Sequence, residues 1–101
     1  MELIEKYRQI LEEFCRKNHI AKLALFGSAL RNDFNPESSD IDFLVEFQPE
    51  NMPSLFGVAR MENELCELLG HKIDLRTKQD INILIRDRVV NNSQTVFSIA
   101  C

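Results

Sequence analysis

The chain has 101 residues, enough for one domain with one core and too few for a separate substrate domain. Its 45% hydrophobic and 28% charged residues are ordinary for a globular protein. A formal net charge of −4 and no basic stripe argue against long DNA or RNA as a direct partner, because phosphate neutralisation supplies most of such affinity.

The segment from Leu3 to Phe14 places Leu3, Ile4, Tyr7, Ile10, Leu11 and Phe14 at three-and-four spacing. That spacing predicts an amphipathic helix, with Glu5, Arg8, Glu12 and Arg16 opposite. A charged, helical start of this kind does not read as a signal peptide. Asn18-His19 ends the helix, and His19 has no second ligand-type residue at useful spacing, so it reads as a surface helix-end residue. Ala21–Phe26 is a short apolar run, predicted as a buried strand. Gly27-Ser28 stops it, and Ala29-Leu30-Arg31 has the look of a first helical turn. Asn32–Ser39 is polar and turn-rich, a surface loop.

Asp40–Phe47 is predicted as a second strand, ended by Pro49. Ser54 is a helix N-cap candidate, Leu55, Val58, Ala59, Glu62, Leu65 and Leu69 follow at helical spacing, and Gly70 is a C-terminal cap. His71–Arg76 reads as a third strand and Thr77–Asp80 as a capping box. A helix carrying Ile81, Ile83, Leu84, Ile85 and Val89 is expected to fade at Asn91-Asn92, before a last strand over Gln94–Ile99. Its apolar residues Val96, Phe97 and Ile99 read as core rather than interface. The order of elements predicts an α/β (α+β) layered fold, one domain over residues 1–101, with a sheet of about four strands flanked by helices. Cys15, Cys66 and Cys101 are odd in number and scattered, as in a reduced, cytoplasmic protein, and no apolar run nears the ~20 residues of a membrane span.

The strand-borne carboxylates need an explanation. Side chains alternate along a strand, so Asp40 and Asp42 share one face while Ile41 takes the other. Two such charges repel, and a divalent cation removes the repulsion; Mg²⁺ takes one or two carboxylates plus substrate phosphates. Asp74 lies between Ile73 and Leu75, whose sides face the core, and joins the pair if the third strand lies beside the second. Three carboxylates so placed suit two metal ions ~3.5–4 Å apart. Gly27 permits close backbone approach, the Ser28 hydroxyl and nearby N–H groups suit a phosphate, and Arg31 suits a phosphate oxygen. Taken singly, each feature has a plainer reading: a turn for Gly27-Ser28, a solvated strand edge for Asp40-x-Asp42, a surface ion pair for Asp74 between Lys72 and Arg76. Their combination, in this order, favours a phosphate-and-metal site.

Gly27-Ser28, then Ser39-Asp40-Ile41-Asp42-Phe43-Leu44-Val45, then Lys72-Ile73-Asp74-Leu75 resemble the minimal nucleotidyltransferases (MNT) of the DNA polymerase beta superfamily. More narrowly, the small chain resembles the MntA-like antitoxins encoded beside HEPN-domain partners. The resemblance implies a nucleotidyltransferase fold, with Asp40, Asp42 and Asp74 as catalytic, metal-binding residues and Gly27, Ser28 and Arg31 on the phosphates. The family often has a glycine after that arginine; here Asn32 stands in its place, and the loop from Ala29 to Ser39 is about one residue longer than the commonest spacing, which a surface loop absorbs. It further implies Mg²⁺, with two ions, ATP as substrate, and transfer of AMP to a tyrosine of a HEPN RNase toxin, which is silenced. Two other readings stand beside it: an antitoxin acting by contact without catalysis, and nucleotidyl transfer to a small molecule such as an aminoglycoside, which the absence of an acceptor-binding domain disfavours.

Overall fold

A computed structural model describes residues 2–26 and 41–99. Its elements, in chain order, are α1 (Glu2–Lys6), α2 (Arg8–Lys17), β1 (Ile20–Phe26), β2 (Ile41–Phe47), α3 (Leu55–Leu69), β3 (Ile73–Arg76), α4 (Arg86–Asn92) and β4 (Gln94–Ser98). Short 3₁₀ turns lie at Pro49–Asn51 and Lys78–Asp80. The four strands form one mixed sheet in the order β3-β2-β1-β4. β1 runs antiparallel to both β2 and β4, and β3 runs parallel to β2. The expected sheet of about four strands with flanking helices is therefore the observed architecture, and the sheet is mixed.

Strand alternation divides the sheet into two unequal faces. On the larger one Leu23, Leu25, Phe43, Val45, Ile73 and Leu75 pack with Leu11, Phe14, Leu65 and Leu69, so that α2 and α3 cover the sheet. On the other, Ala24, Leu44 and Ile81 form a small cluster with Phe26, Val89 and Val90 packed against it. β2 contributes Ile41, Phe43, Val45 and Phe47 to the first face, which leaves Asp42, Leu44 and Glu46 on the second. Val96 and Phe97 are buried, as expected of core residues, whereas Ile99 is exposed.

The predicted caps of α3 hold. The Ser54 hydroxyl accepts a hydrogen bond from the Gly57 N–H at 3.2 Å, and Gly70 ends the helix in the left-handed region at φ 69°. The stripe expected of that helix holds only in part: Leu65 and Leu69 are buried, but Leu55 is 88% exposed, as is its neighbour outside the stripe, Phe56, at 83%. Length explains this. Fifteen helical residues extend about 22 Å, while the four residues of β3 beside them span about 13 Å, so the first turns of α3 overhang the sheet.

Several boundaries differ from the sequence reading: β3 starts at Ile73, two residues after the expected His71, and β4 ends at Ser98, one before Ile99. The leading helix is broken at Tyr7, whose backbone (φ −107°, ψ 13°) leaves helical geometry and gives α1 and α2. β1 begins one residue early, at Ile20, directly after His19 turns the chain at φ 57°. His19 is exposed at the helix end, as expected. The helix expected from Ile81 starts only at Arg86. The Thr77–Asp80 capping box forms, but it closes a 3₁₀ turn. The Asn82 side chain then accepts from the Leu84 N–H at 2.9 Å and Arg86 Nη2 donates to the Ile81 carbonyl at 3.2 Å, an alternative set of bonds that turns the chain before the helix. Ile83 and Leu84 are consequently exposed.

Candidate active site

The register of the sheet assembles the site. Phe26 pairs with Asp42 across β1 and β2, and Asp42 pairs with Asp74 across β2 and β3. The three residues form one row at the end of the sheet where β1 finishes and both β2 and β3 begin. Because neighbouring strands lie about 4.8 Å apart and register partners share a face, the two carboxylates stand side by side on the smaller face. Both are half-buried. The next row, Ala24, Leu44 and Arg76, is apolar over β1 and β2 and roofed by Ile81.

Local sequence explains why β3 delivers Asp74 to that position. Gly70 ends α3 and only His71 and Lys72 intervene before β3, so the strand returns parallel to β2 on the sheet edge. The Ile41 N–H donates to the Lys72 carbonyl at 2.9 Å, which fixes the register from its first rung. Ile73 and Leu75 are drawn into the large core, and alternation turns Asp74 outward from it.

Of the expected site residues, the structure brings Asp42 and Asp74 together. Gly27, Ser28, Arg31 and Asp40 lie outside the described residues. Phe26 and Ile41, the described residues next to them in sequence, both lie at this same end of the sheet. Among the described residues no three potential ligands gather. Asp42 and Asp74 supply an oxygen-only donor pair at a partly open position, a chemistry suited to a hard divalent cation carrying phosphate. The sequence reading missed three neighbours: Phe26, the apolar member of the row, and Glu62 and Cys66, which hold β3 from the α3 side. The Leu75 N–H donates to Glu62 Oε2 at 2.8 Å and the Ile73 N–H to Cys66 Sγ at 3.3 Å. Their signal was a glutamate standing within the apolar stripe of α3.

A mixed sheet with a carboxylate pair at the head of two parallel neighbouring strands is an arrangement suited to the α/β enzymes that handle nucleotides with a divalent cation. The pattern of the nucleotidyltransferase domain matches residues 7–96, and the chain belongs to that family. It is 39% identical over 80 residues to MJ0435 of Methanocaldococcus jannaschii, provisionally named a protein adenylyltransferase, covering 79% of this chain and 83% of the relative. It is 37% identical over 62 residues to the protein adenylyltransferase MntA of Thermococcus cleftensis, covering 61% and 60%. Among solved structures, one provisionally described as a minimal nucleotidyltransferase superposes with a TM-score of 0.74 at 26% identity, over 91% of each chain. A complex of a tri-AMPylated Shewanella oneidensis HEPN toxin with its MNT antitoxin matches at a TM-score of 0.68 and 18% identity, over 94% of this chain and 72% of that one; this likeness is of fold. The chain is thus a nucleotidyltransferase, the enzyme class expected from its carboxylates.

Proposed function

We propose that this protein transfers AMP from ATP to a tyrosine hydroxyl of a partner HEPN-type toxin and thereby silences it, acting as the antitoxin of the pair in the cytoplasm. The observation that carries the reading is the Asp42–Asp74 pair, in register on adjacent strands. The names of the relatives support AMP transfer to protein, and the AMPylated toxin in the Shewanella complex supports the partner class. No helix among the described residues is long and apolar enough to cross a membrane. Residues 1–101 act as one nucleotidyltransferase domain, with the partner completing the acceptor side.

In this reading Asp40, Asp42 and Asp74 are the carboxylates that hold Mg²⁺, two ions in all. Bound there, the metal supplies charge neutralisation of the triphosphate and a lowered pKa of the acceptor hydroxyl. Gly27 and Ser28 hold phosphate oxygens through backbone N–H groups and the hydroxyl, and Arg31 pairs with another. The acceptor oxygen forms a bond to the α-phosphorus as the bond to pyrophosphate breaks, and Asp74 accepts the hydroxyl proton. Phe26, in the row beside Asp42, keeps one flank of the site apolar.

The contact-only antitoxin is the second reading, favoured by the exposed Met52, Leu55 and Phe56 at the overhanging end of α3. One experiment separates the two: incubate the protein with Mg-ATP and the product of its neighbouring gene, then weigh the partner by mass spectrometry. An AMP-sized increase that Asp42→Ala abolishes is expected. An unmodified partner, still inhibited by the Asp42→Ala and Asp74→Ala proteins, would replace the enzyme reading with the contact reading.

A further inference from the structure

β3 is the edge strand of the sheet, and its register with β2 decides which of its N–H groups face outward. The Ile41 N–H donates to the Lys72 carbonyl, so in a parallel ladder the amides of Asp74 and Arg76 face β2, while those of Ile73 and Leu75 face away. Outward amides of an edge strand ordinarily go to water or to another chain. Here both are taken by α3. Leu75 N–H donates to Glu62 Oε2 at 2.8 Å, and Ile73 N–H to Cys66 Sγ at 3.3 Å. The match is geometric. Glu62 and Cys66, one turn apart, are separated by about 6 Å along the helix, close to the roughly 6.6 Å between Ile73 and Leu75 along the strand. The helix runs antiparallel to β3, so the later helical residue meets the earlier strand residue.

Asp74 sits between the two anchored amides. Its own main chain is bonded to β2 on one side, and its flanking residues are tied to α3 on the other. A four-residue edge strand has few ladder bonds to define it, so this second set of bonds is a large share of what fixes the Asp74 carboxylate beside Asp42. Glu62 is a charged side chain on the core-facing stripe of α3, half-buried, and its 2.8 Å bond to Leu75 explains why a carboxylate stands there.

We infer that Glu62 is a positioning residue of the metal site, acting through the Leu75 amide to hold Asp74 against Asp42. The inference rests on the reading of Asp74 as a metal ligand and goes beyond it by assigning a residue that touches neither metal nor substrate. The role requires an acceptor oxygen at the end of a side chain of this length, not the negative charge itself. Glu62→Gln keeps the acceptor; Glu62→Asp keeps the charge and shortens the reach; Glu62→Ala removes both. Glu64, on the same helix and ion-paired with Lys17 at 3.0 Å, supplies a control variant, Glu64→Ala, of similar surface character.

The test is binding of Mn²⁺ alone to the whole chain, followed by electron paramagnetic resonance of the free ion. Amide hydrogen exchange at Ile73, Asp74 and Leu75 is measured on the same samples. Glu62→Ala and Glu62→Asp are expected to weaken Mn²⁺ binding about tenfold, the lower end of the effect of losing an outer support of a metal site. The same variants should speed Leu75 exchange by a similar factor. Glu62→Gln and Glu64→Ala should stay near the wild type in both. If Glu62→Ala and Glu62→Asp bind Mn²⁺ as the wild type does while Asp74→Ala does not, the positioning role is overturned and the site reading stands. If Asp74→Ala itself binds Mn²⁺ normally, the site reading falls and the inference with it. Should Glu62→Ala fail to fold, the comparison of Glu62→Asp with Glu62→Gln is decided by the same criteria.

Discussion

Replacing Asp74 with asparagine removes one of two negative charges that the β2–β3 register sets side by side, and changes the side chain's shape very little. Register partners on neighbouring strands bring their side chains to about 5 Å, where two unit charges repel by about 1 kcal/mol in water-like dielectric and by more in a drier setting. Both residues keep part of their surface in solvent, which screens the pair, so the water-like value applies. The metal-free Asp74→Asn protein should therefore be more stable than the wild type by up to about 1 kcal/mol, which for a chain of this size raises Tm by about 4–8 °C. Activity should move the opposite way, falling at least about 100-fold, since losing a ligand costs more than losing its outer support. The cation adds a third arm. Mg²⁺ at ten times its dissociation constant should stabilise the wild type by about 1.4 kcal/mol through mass action, and the variant far less. Thermal unfolding with and without Mg²⁺, together with AMP transfer measured on the same preparations, reads all three. A variant that is less stable than the wild type without metal, or that gains as much from Mg²⁺, would refute the reasoning.

Other expectations follow from burial and backbone geometry. Burial, assisted by the charge of Glu12, pushes the Cys15 thiol up from 9.0 to about 12. Below pH 9 the thiol is protonated in both states. Above it the unfolded chain loses a proton that the folded chain keeps, so stability falls, by about 1–2 kcal/mol at pH 10. Urea midpoints between pH 8 and pH 10 should drop less in Cys15→Ala than in the wild type, and equal slopes would contradict the burial argument. Among the described residues Phe43 is the largest fully buried side chain, in the strand that carries Asp42. Phe43→Ala should cost about 3–5 kcal/mol in urea unfolding. Gly70→Ala meets no neighbour within 4 Å but forces a side chain into φ +69°, so it should cost about 1 kcal/mol with no change in the denaturant slope.

Much of the site's local chemistry was legible from the sequence, because it depends on short-range rules. Alternation along a strand put Asp42 and Asp74 on faces away from Ile41, Phe43, Ile73 and Leu75, and these hydrophobic partners are indeed in the core. Ser54 and Gly70 bounded α3 by capping chemistry that involves only residues nearby in the chain. The helix expected from Ile81 starts five residues late for a related reason: Asn82 and Arg86 offered the backbone a competing set of bonds, and periodicity does not register such competition.

Composition and spacing by themselves determined that this is a small acidic α/β chain with carboxylates on two strands, since strand alternation and helix periodicity are properties of the local backbone. Only the tertiary structure decided that β3 lies parallel beside β2 with Asp74 in register with Asp42, because strand order depends on which hydrophobic faces close one core. It also decided that α3 grips the outer edge of β3 through Glu62 and Cys66. That contact exists because one turn of helix and two residues of strand have nearly the same length, a coincidence that appears only once the two elements lie side by side.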